Sequence, residues 1–449
     1  MYNKKSFPKG ALYVIEVIRN SGHKAYFVGG CVRDLMLGKS PHEFDVTTDA
    51  TPHVIKRLFD KVVPTGEEFG TMTVVLADGS YEVTTFRSDE SYSDARHPDR
   101  VTFTKSIGDD LSRRDFTVNA MAYDPFSEEF IDKHGGRADL KKKIIRTVGD
   151  PLERFGEDGL RPVRACRFAA KLDFKIENKT LEAIRKTLDV VRKVSPERIH
   201  DEMVKMLSAE KPSIGIEYMR ISGLLKLIIP ELDECFGVTQ PKPFHKHDVY
   251  WHSLYTCDAL AGRSYQLRLA GLLHDIAKPE CKVERPTEKG MTFYNHDSRG
   301  VEIARDVMTR LKFSNADIDS VTNLIRNHMF NYQSEWSDSA VRRFMIRVGV
   351  DNLDGLFELR VADLKAMERE VTQENLEELK GRISRVIDED NALNVKSLKV
   401  DGSDVMDILK ISPGPQVGQV LNWLLDQVIE DPRLNERHRL INLIKSYKG

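Results

Sequence analysis

Residues 29 to 48 read GGCVRDLMLGKSPHEFDVTT, and the order of residue types in this stretch decides how the rest of the chain is read. The lead-in, KAYFVGG, has the pattern of a short strand ending in a glycine turn. CVRDLMLG then reads as a brief helix and FDVTT as a second strand. In a strand, residues i and i+2 share a face, so Glu43 and Asp45 project together. Their Cα atoms would lie roughly 7 Å apart, near enough for both carboxylates to reach one divalent cation or a metal pair. Without a cation such charges repel, and one pKa rises. Gly29 and Gly30 let backbone approach a phosphate, and amides opening the next helix can meet negative charge. Arg33, in the same turn, can clamp a triphosphate through two hydrogen bonds. For the acid pair alone, two solvated carboxylates at a strand end remain the plain alternative.

Working outward, TPHVIKRLFD has helix spacing with Pro52 in its first turn. TMTVVLADGSYEVTTF predicts two strands joined at Asp78-Gly79. Glu82 sits on the second, opposite in face to Val83, and supplies a third acid. RRDFTVNAMAYD places Arg113 and Arg114 before Asp115 and Asn119: paired guanidiniums suit a triphosphate, and Asp or Asn suits a ribose hydroxyl. A charged strand end would look the same. The polar, aperiodic stretch 88–103 reads as a mobile loop over the site. From about residue 150 strand patterning almost disappears, and helical spacing dominates in NKTLEAIRKTLDVVRKV, SPERIHDEMVKML, RGVEIARDVMTRL and VGQVLNWLLDQVI.

Composition bounds the answer. At 449 residues, 40% apolar and 31% charged, the chain has the make-up of a soluble globular protein of two to four domains. Its 68 basic and 70 acidic side chains nearly cancel, so a polyanion must be met by local basic patches. Lys171, Lys175, Lys179, Arg185, Lys186, Arg192 and Lys193 give such a bias, for which a solvated helix face is the simpler account. The five cysteines are scattered without a C-x-x-C pair, which suits a reducing compartment. No stretch approaches the ~20 apolar residues of a membrane span. The expectation is a cytoplasmic protein with no membrane and no evident protein partner.

The string GG-x-V-R-D-x-x-L-G followed by acid-x-D resembles the signature of class II tRNA nucleotidyltransferases, the CCA-adding enzymes and their bacterial poly(A) polymerase relatives. FGTMTVV and YEVTTFR (69 to 87), RRDFTVNAMAYD (113 to 124), GEDGLRPVRACRFAAKL (156 to 172) and the tail GPQVGQVLNWLLDQVIEDPRLN continue the resemblance in order, over nearly the whole chain. It implies an α+β fold: a polymerase β-like head, a small mixed sheet with helices, then an elongated all-α neck, body and tail. The expected divisions are 1–145 for the head, 146–215 for a base-reading neck, 216–385 for the body and 386–449 for a tRNA-binding tail.

The activity so implied is template-independent addition of CCA to tRNA from CTP and ATP, with Mg²⁺ held by Glu43, Asp45 and Glu82. Poly(A) polymerase or A-only addition is the near alternative. The resemblance assigns nucleotide binding to Gly29, Gly30, Arg33, Arg114, Asp115, Asn119, Asp158, Arg161, Arg164 and Arg167. The family has D-x-D where this chain has Glu43-Phe44-Asp45, a difference of one methylene. Cytosine and adenine each present an amino donor beside a ring-nitrogen acceptor. A carboxylate plus a guanidinium, as in Asp158 and Arg161, would pair with both and oppose uracil and guanine. An i, i+3 surface salt bridge is the bland alternative. Arg161, Arg164 and Arg167 recur every third residue, suggesting a basic ridge, and Pro162 places the regular helix start at or near itself.

One further order stands out: His252 in YWHSLY, His274-Asp275 in LLHDIAKP and Asp363 in LRVADLKA. It resembles the HD metal-dependent phosphohydrolase superfamily, and implies a second divalent metal (Mg, Mn or Ni), with His296 and His328 able to line the same pocket. The rival of another class is therefore an HD phosphohydrolase whose head only binds nucleotide or RNA.

Overall fold

The computed structural model describes residues 7–90, 100–241, 246–284, 291–367, 374–388 and 394–447. Two compact units emerge, Met1–Asp233 with Arg310–Phe313, and Glu234–Thr309 with Ser314–Gly449.

The first unit is built on β1 (Ala25–Val28), β2 (Val46–Thr48), β3 (Val62–Gly66), β4 (Thr71–Leu76), β5 (Gly79–Thr85), β6 (Arg87–Glu90), β7 (Arg100–Phe103), β8 (Ala122–Tyr123) and β9 (Phe130–Ile131). Seven strands form one mixed sheet in the order β3-β4-β5-β2-β1-β8-β9. The β2–β5 pair is parallel, with Val46 opposite Val83. Every other pair in the sheet is antiparallel.

Phe27 at the sheet centre faces Val46 on one side and Tyr123 on the other. Its ring stacks on Phe7 at 5.2 Å and meets the edge of Phe44 at 5.2 Å. Burying each such ring is worth about 2 to 3 kcal/mol. Phe44 is thus drawn into the core, leaving Glu43 exposed and Asp45 half-buried on the other side. The helix Lys9–Asn20 covers the sheet with Val14, Ile15 and Ile18.

Two local expectations shift. The β4–β5 hairpin closes with Leu76 opposite Gly79, so its turn is Ala77-Asp78, one residue earlier than the Asp-Gly reading. Asp78 stays engaged there by accepting the Gly10 N–H at 2.8 Å. The flanks of the polar stretch 88–103 form the β6–β7 ribbon, with Ser88 opposite Thr102; cross-strand pairing overrides the missing period. The middle of the predicted loop, 91–99, lies outside the described residues.

Helices Pro151–Glu157, Arg161–Leu172, Asn178–Lys186, Leu188–Val191, Pro196–Leu207, Pro212–Ser222, Leu224–Ile228 and Pro230–Asp233 follow in the first unit. The expected run after Asn178 breaks at Thr187, whose hydroxyl donates to the Ala183 carbonyl at 2.8 Å. Ile144–Ile145 pairs in parallel with Lys175–Ile176, so packing continues through the composition change near residue 145. Among its described residues the second unit is mostly helical. Helix spacing in Pro415–Glu430 predicts Val417, Val420, Leu421, Leu424, Leu425 and Val428 as core; all are buried but Leu421, which is partly buried against the cluster.

Candidate active site and a buried histidine cluster

The glycine turn after β1 and the acids before β2 are tied together by the Val28 N–H, which donates to the Asp45 carbonyl at 3.0 Å. Gly29 has φ +76°, a conformation that favours glycine. A Cβ at Gly29 would lie 3.2 Å from Arg114 Nη1 and 3.9 Å from Asp45 Oδ2, so the bare backbone admits both groups. Burial and then the nearby Glu82 push the Asp45 carboxyl up to about 6, with Arg114 opposing and Glu43 adding to the rise. Burial and then Glu43 raise Glu82 in turn. The three acids predicted from sequence are therefore brought into one electrostatic cluster beside Arg114. Carboxylates near enough to act on one another are a donor set that fits a divalent cation.

Arg114 is held from behind. Its Nη2 donates to Asp110 Oδ2 at 3.2 Å, and among the described residues its buried Nε has no hydrogen-bond partner. Fully buried Asp110 also accepts from Arg113 Nε at 3.0 Å and Nη2 at 2.6 Å, and from Thr47 Oγ1 at 3.2 Å. Burial pushes its carboxyl up, but Arg114 and Arg113 outweigh that and hold it below the usual range.

A second network runs from the glycine turn into the helices. Arg33, 2% exposed, donates Nε to Asp34 at 2.8 Å and Nη1 to Asn119 Oδ1 at 2.7 Å. Asn119 Nδ2 donates to Asp115 Oδ1 at 3.4 Å. Asp115 Oδ2 accepts from Arg164 Nε at 3.0 Å and Nη2 at 2.7 Å. Arg164 Nη1 lies 3.5 Å from Glu202, which also takes Arg167 Nε. The guanidiniums of Arg33, Arg164 and Arg167 all lie over the Phe168 ring.

This placement alters two expectations. The arginines at 161, 164 and 167 are not an exposed ridge, since Arg161 and Arg167 are 8% and 7% exposed. A buried guanidinium needs a carboxylate, and each has one: Glu157 for Arg161, Asp115 for Arg164 and Glu202 for Arg167. Nor do the side chains of Asp158 and Arg161 form the i, i+3 salt bridge that was the plain alternative to base reading, although the Arg161 N–H donates to the Asp158 carbonyl at 3.1 Å. Arg161 donates to Glu157 and, at 2.9 Å, to the Arg154 carbonyl, while both Asp158 oxygens lie 3.0 Å from Arg198 Nη2. The helix does begin at Arg161 with Pro162 in its first turn, as Pro162 predicts.

In the second unit the predicted His252, His274, Asp275 and Asp363 converge, and His296 and His328 join them. His252 Nε2 lies 3.2 Å from His274 Nε2, 3.6 Å from Asp275 Oδ2 and 3.0 Å from Asp363 Oδ1. On the other side of Asp275, Oδ1 lies 3.4 Å from His296 Nε2 and 3.8 Å from His328 Nε2. The Nδ1 atoms of His274, His296 and His328 each face a backbone carbonyl at 2.7 to 2.8 Å, which turns every Nε2 inward.

Two ligand groups result, His252–His274–Asp275 and Asp275–His296–His328, all buried and sharing Asp275. Burial, then His274, lowers His328 to about 4, keeping that imidazole neutral. Asp363 Oδ1 is buried and faces into the cluster, 3.0 Å from His252 Nε2 and 3.8 Å from His274 Nε2. The cluster opens on a cavity of about 450 Å³ lined by Lys278, Phe293, Tyr294, Met329 and Arg360.

Residues 25–146 match the poly A polymerase head domain, 173–236 the probable RNA and SrmB-binding site of polymerase A, and 298–444 a putative tRNA nucleotidyltransferase domain 2. The chain is 35% identical to the CCA-adding enzyme of Pediococcus pentosaceus over 96% of each protein. It belongs to the CCA-adding enzyme family. It is likewise 33% identical to the Enterococcus faecalis CCA-adding enzyme, over 98% of this chain and 96% of that one. The Bacillus stearothermophilus CCA-adding enzyme, solved in complex with CTP, superposes with a TM-score of 0.76 at 27% identity, covering 99% of this chain and 98% of that one. The Thermotoga maritima enzyme complexed with tRNA shares the fold, with a TM-score of 0.54 at 19% identity over 99% of this chain and 96% of that one.

Within a CCA-adding enzyme fold, the residues missed by sequence reasoning are those that hold the predicted ones. Asp110 precedes Arg113 and Arg114 by three and four positions in DDLSRR, a helical spacing open to recognition. Arg198 and Glu202 stand four apart in SPERIHDE. Their partners lie dozens of residues away, so no local spacing points to them.

Proposed function

We propose that this chain completes tRNA by adding C, C and A to the 3′ end from CTP and ATP, releasing pyrophosphate. Glu43, Asp45 and Glu82 hold magnesium in this reading, and the observation that carries it is that the three carboxylates act on one another beside Arg114, with Asp45 and Arg114 both against Gly29. A divalent cation there would activate the RNA 3′-oxygen and stabilise the departing pyrophosphate. The chain's own residues do the rest. Gly29 and Gly30 bring backbone up to the triphosphate, and Arg114, whose Nε lacks a partner among the described residues, offers it positive charge. Arg33, Asn119 and Asp115 set the pocket from behind through their hydrogen bonds. Asp158 accepts from the amino group of cytosine or adenine, and Arg161 donates to the ring nitrogen.

The head at 1–145, neck at 146–215, body at 216–385 and tail at 386–449 divide this labour, and Arg164 and Arg167 brace the neck beside the nucleotide. No helix among the described residues is long and apolar enough to cross a membrane. Five free cysteines, four of them buried, suit the cytoplasm. Sequencing the 3′ ends of tRNAs truncated at each step of CCA, after incubation with CTP, ATP or both, tests the proposal. CCA completion is expected; a long A tail would mean a poly(A) polymerase instead.

The two buried ligand groups that share Asp275 favour a second reading for the body alone: the His252, His274, Asp275 and Asp363 cluster, extended by His296 and His328, binds a divalent metal (Mg, Mn or Ni) suited to phosphoester hydrolysis.

A further inference from the structure

We propose that Arg198 is a positioning residue for base choice: it sets the plane of the Asp158 carboxylate, without being its partner in the expected Asp158–Arg161 pair. This rests on the reading of Asp158 as the acceptor for the base's amino group. Asp158 lies in the turn between the helices Pro151–Glu157 and Arg161–Leu172. Its Oδ1 accepts the Leu160 N–H at 3.0 Å and Arg198 Nη2 at 3.0 Å. Its Oδ2 accepts from Arg198 Nη2 at 3.0 Å and, among the described residues, from no other donor. Two fixed contacts on one side leave lone-pair capacity on Oδ2 for an incoming amino group. Arg161 is occupied by Glu157 and the Arg154 carbonyl, so the charge that balances Asp158 is that of Arg198.

The turn itself is pinned. A Cβ at Gly159 would lie 2.6 Å from the Val190 carbonyl oxygen and 2.9 Å from Val194 Cγ2, so the backbone beside Asp158 packs directly on that segment. With the backbone held, the remaining freedom is rotation of the carboxylate, and Arg198 removes it. The same helix, Pro196–Leu207, carries Glu202 one turn further on, where it takes Arg164 and Arg167. One helix face thereby orients the acidic group of the base pocket and the arginines next to it.

A carboxylate free to rotate would discriminate poorly, because its acceptor oxygen would no longer meet the base's amino group in one fixed place. A well-made bidentate contact gives ~1 to 3 kcal/mol of discrimination, roughly a 5- to 150-fold preference.

The experiment measures kcat/KM for CTP against UTP and for ATP against GTP on truncated tRNA. It uses full-length wild type, Arg198→Gln, Arg198→Lys, Asp158→Ala and the Asp158→Ala/Arg198→Gln double variant, with tRNA affinity measured beside it. We expect Arg198→Gln to lower the CTP/UTP ratio about 10-fold or more with tRNA affinity unchanged. Arg198→Lys, which keeps the charge but not the planar fork, should recover part of the ratio. In the Asp158→Ala background the Arg198→Gln change should add nothing. A uniform fall for all four nucleotides, with ratios intact, would overturn the role of Arg198 while Asp158→Ala alone still lost selectivity. Intact selectivity in Asp158→Ala would instead overturn the base-facing reading of Asp158. Should Arg198→Gln fail to fold, an unchanged ratio in Arg198→Lys together with additivity in an Asp158→Ala/Arg198→Lys double variant would count against the proposal.

Discussion

The Asp45 carboxylate and the Arg114 guanidinium meet across a residue that has no side chain: both lie within 4 Å of where a Gly29 Cβ would stand. Replacing that hydrogen with a methyl group crowds Arg114 Nη1 at 3.2 Å and strains a backbone at φ +76°. Gly29→Ala should therefore lower CMP incorporation by roughly 100-fold, the usual cost of ~1 Å misplacement at a reacting centre. It should cost only ~1 to 2 kcal/mol of stability. Incorporation assays and thermal melts on the same preparation check both halves.

Asp45 bears on stability in the opposite sense. Its folded pKa, pushed up to about 6, lies above the ordinary carboxyl value of 3.8. A group raised on folding contributes stability below its unfolded pKa and loses it as pH rises through the folded value. In chelator at pH 7.5, Asp45→Asn should thus melt a few degrees higher than wild type, on the order of 1 to 2 kcal/mol after allowing for solvent screening. The gap should close below about pH 4, and the variant should be inactive at every pH. Full incorporation by Asp45→Asn sinks the metal-ligand assignment.

Glu43 is exposed where Asp45 is half-buried, so its extra methylene has room to fold back without disturbing the sheet. Glu43→Asp should match the wild-type rate or exceed it by a few-fold at saturating magnesium. Glu43→Ala should raise the magnesium concentration needed for half-maximal rate. Magnesium titrations of the three proteins decide the point; identical titrations would remove Glu43 from the ligand set.

For the body, extensive chelation followed by reloading and elemental analysis should find divalent metal in the wild-type chain and markedly less in Asp275→Ala. Asp275 is common to both ligand groups, so its loss should cost more metal than loss of His328, which belongs to one. Equal content in all three proteins counts against the site.

Glu82 was legible because strand alternation is a local rule: Val83 goes into the core and Glu82 comes out. Glu43 and Asp45 were expected on a strand but lie just before β2, where buried Phe44 between them still sends both acids to the other side. The histidine order was legible because imidazoles next to carboxylates in apolar helices are uncommon residue choices. What could not be read was the partner of each arginine. Sequence spacing pairs Asp158 with Arg161 and lines up Arg161, Arg164 and Arg167. Folding instead gave Asp158 to Arg198 and divided the three among Glu157, Asp115 and Glu202. Ion pairing follows tertiary proximity and burial, and those are properties of helix packing over long sequence separation.

Phe44 adds a consequence for the assembly of the head itself. Slipping this segment by one residue would turn a phenyl ring into water and drive Glu43 and Asp45 into the Phe7–Phe27 cluster, where each unpaired charge costs several kcal/mol. The same two acids that invite a metal thus act during folding as sentinels of alignment, rejecting the misregistered sheet before any substrate arrives.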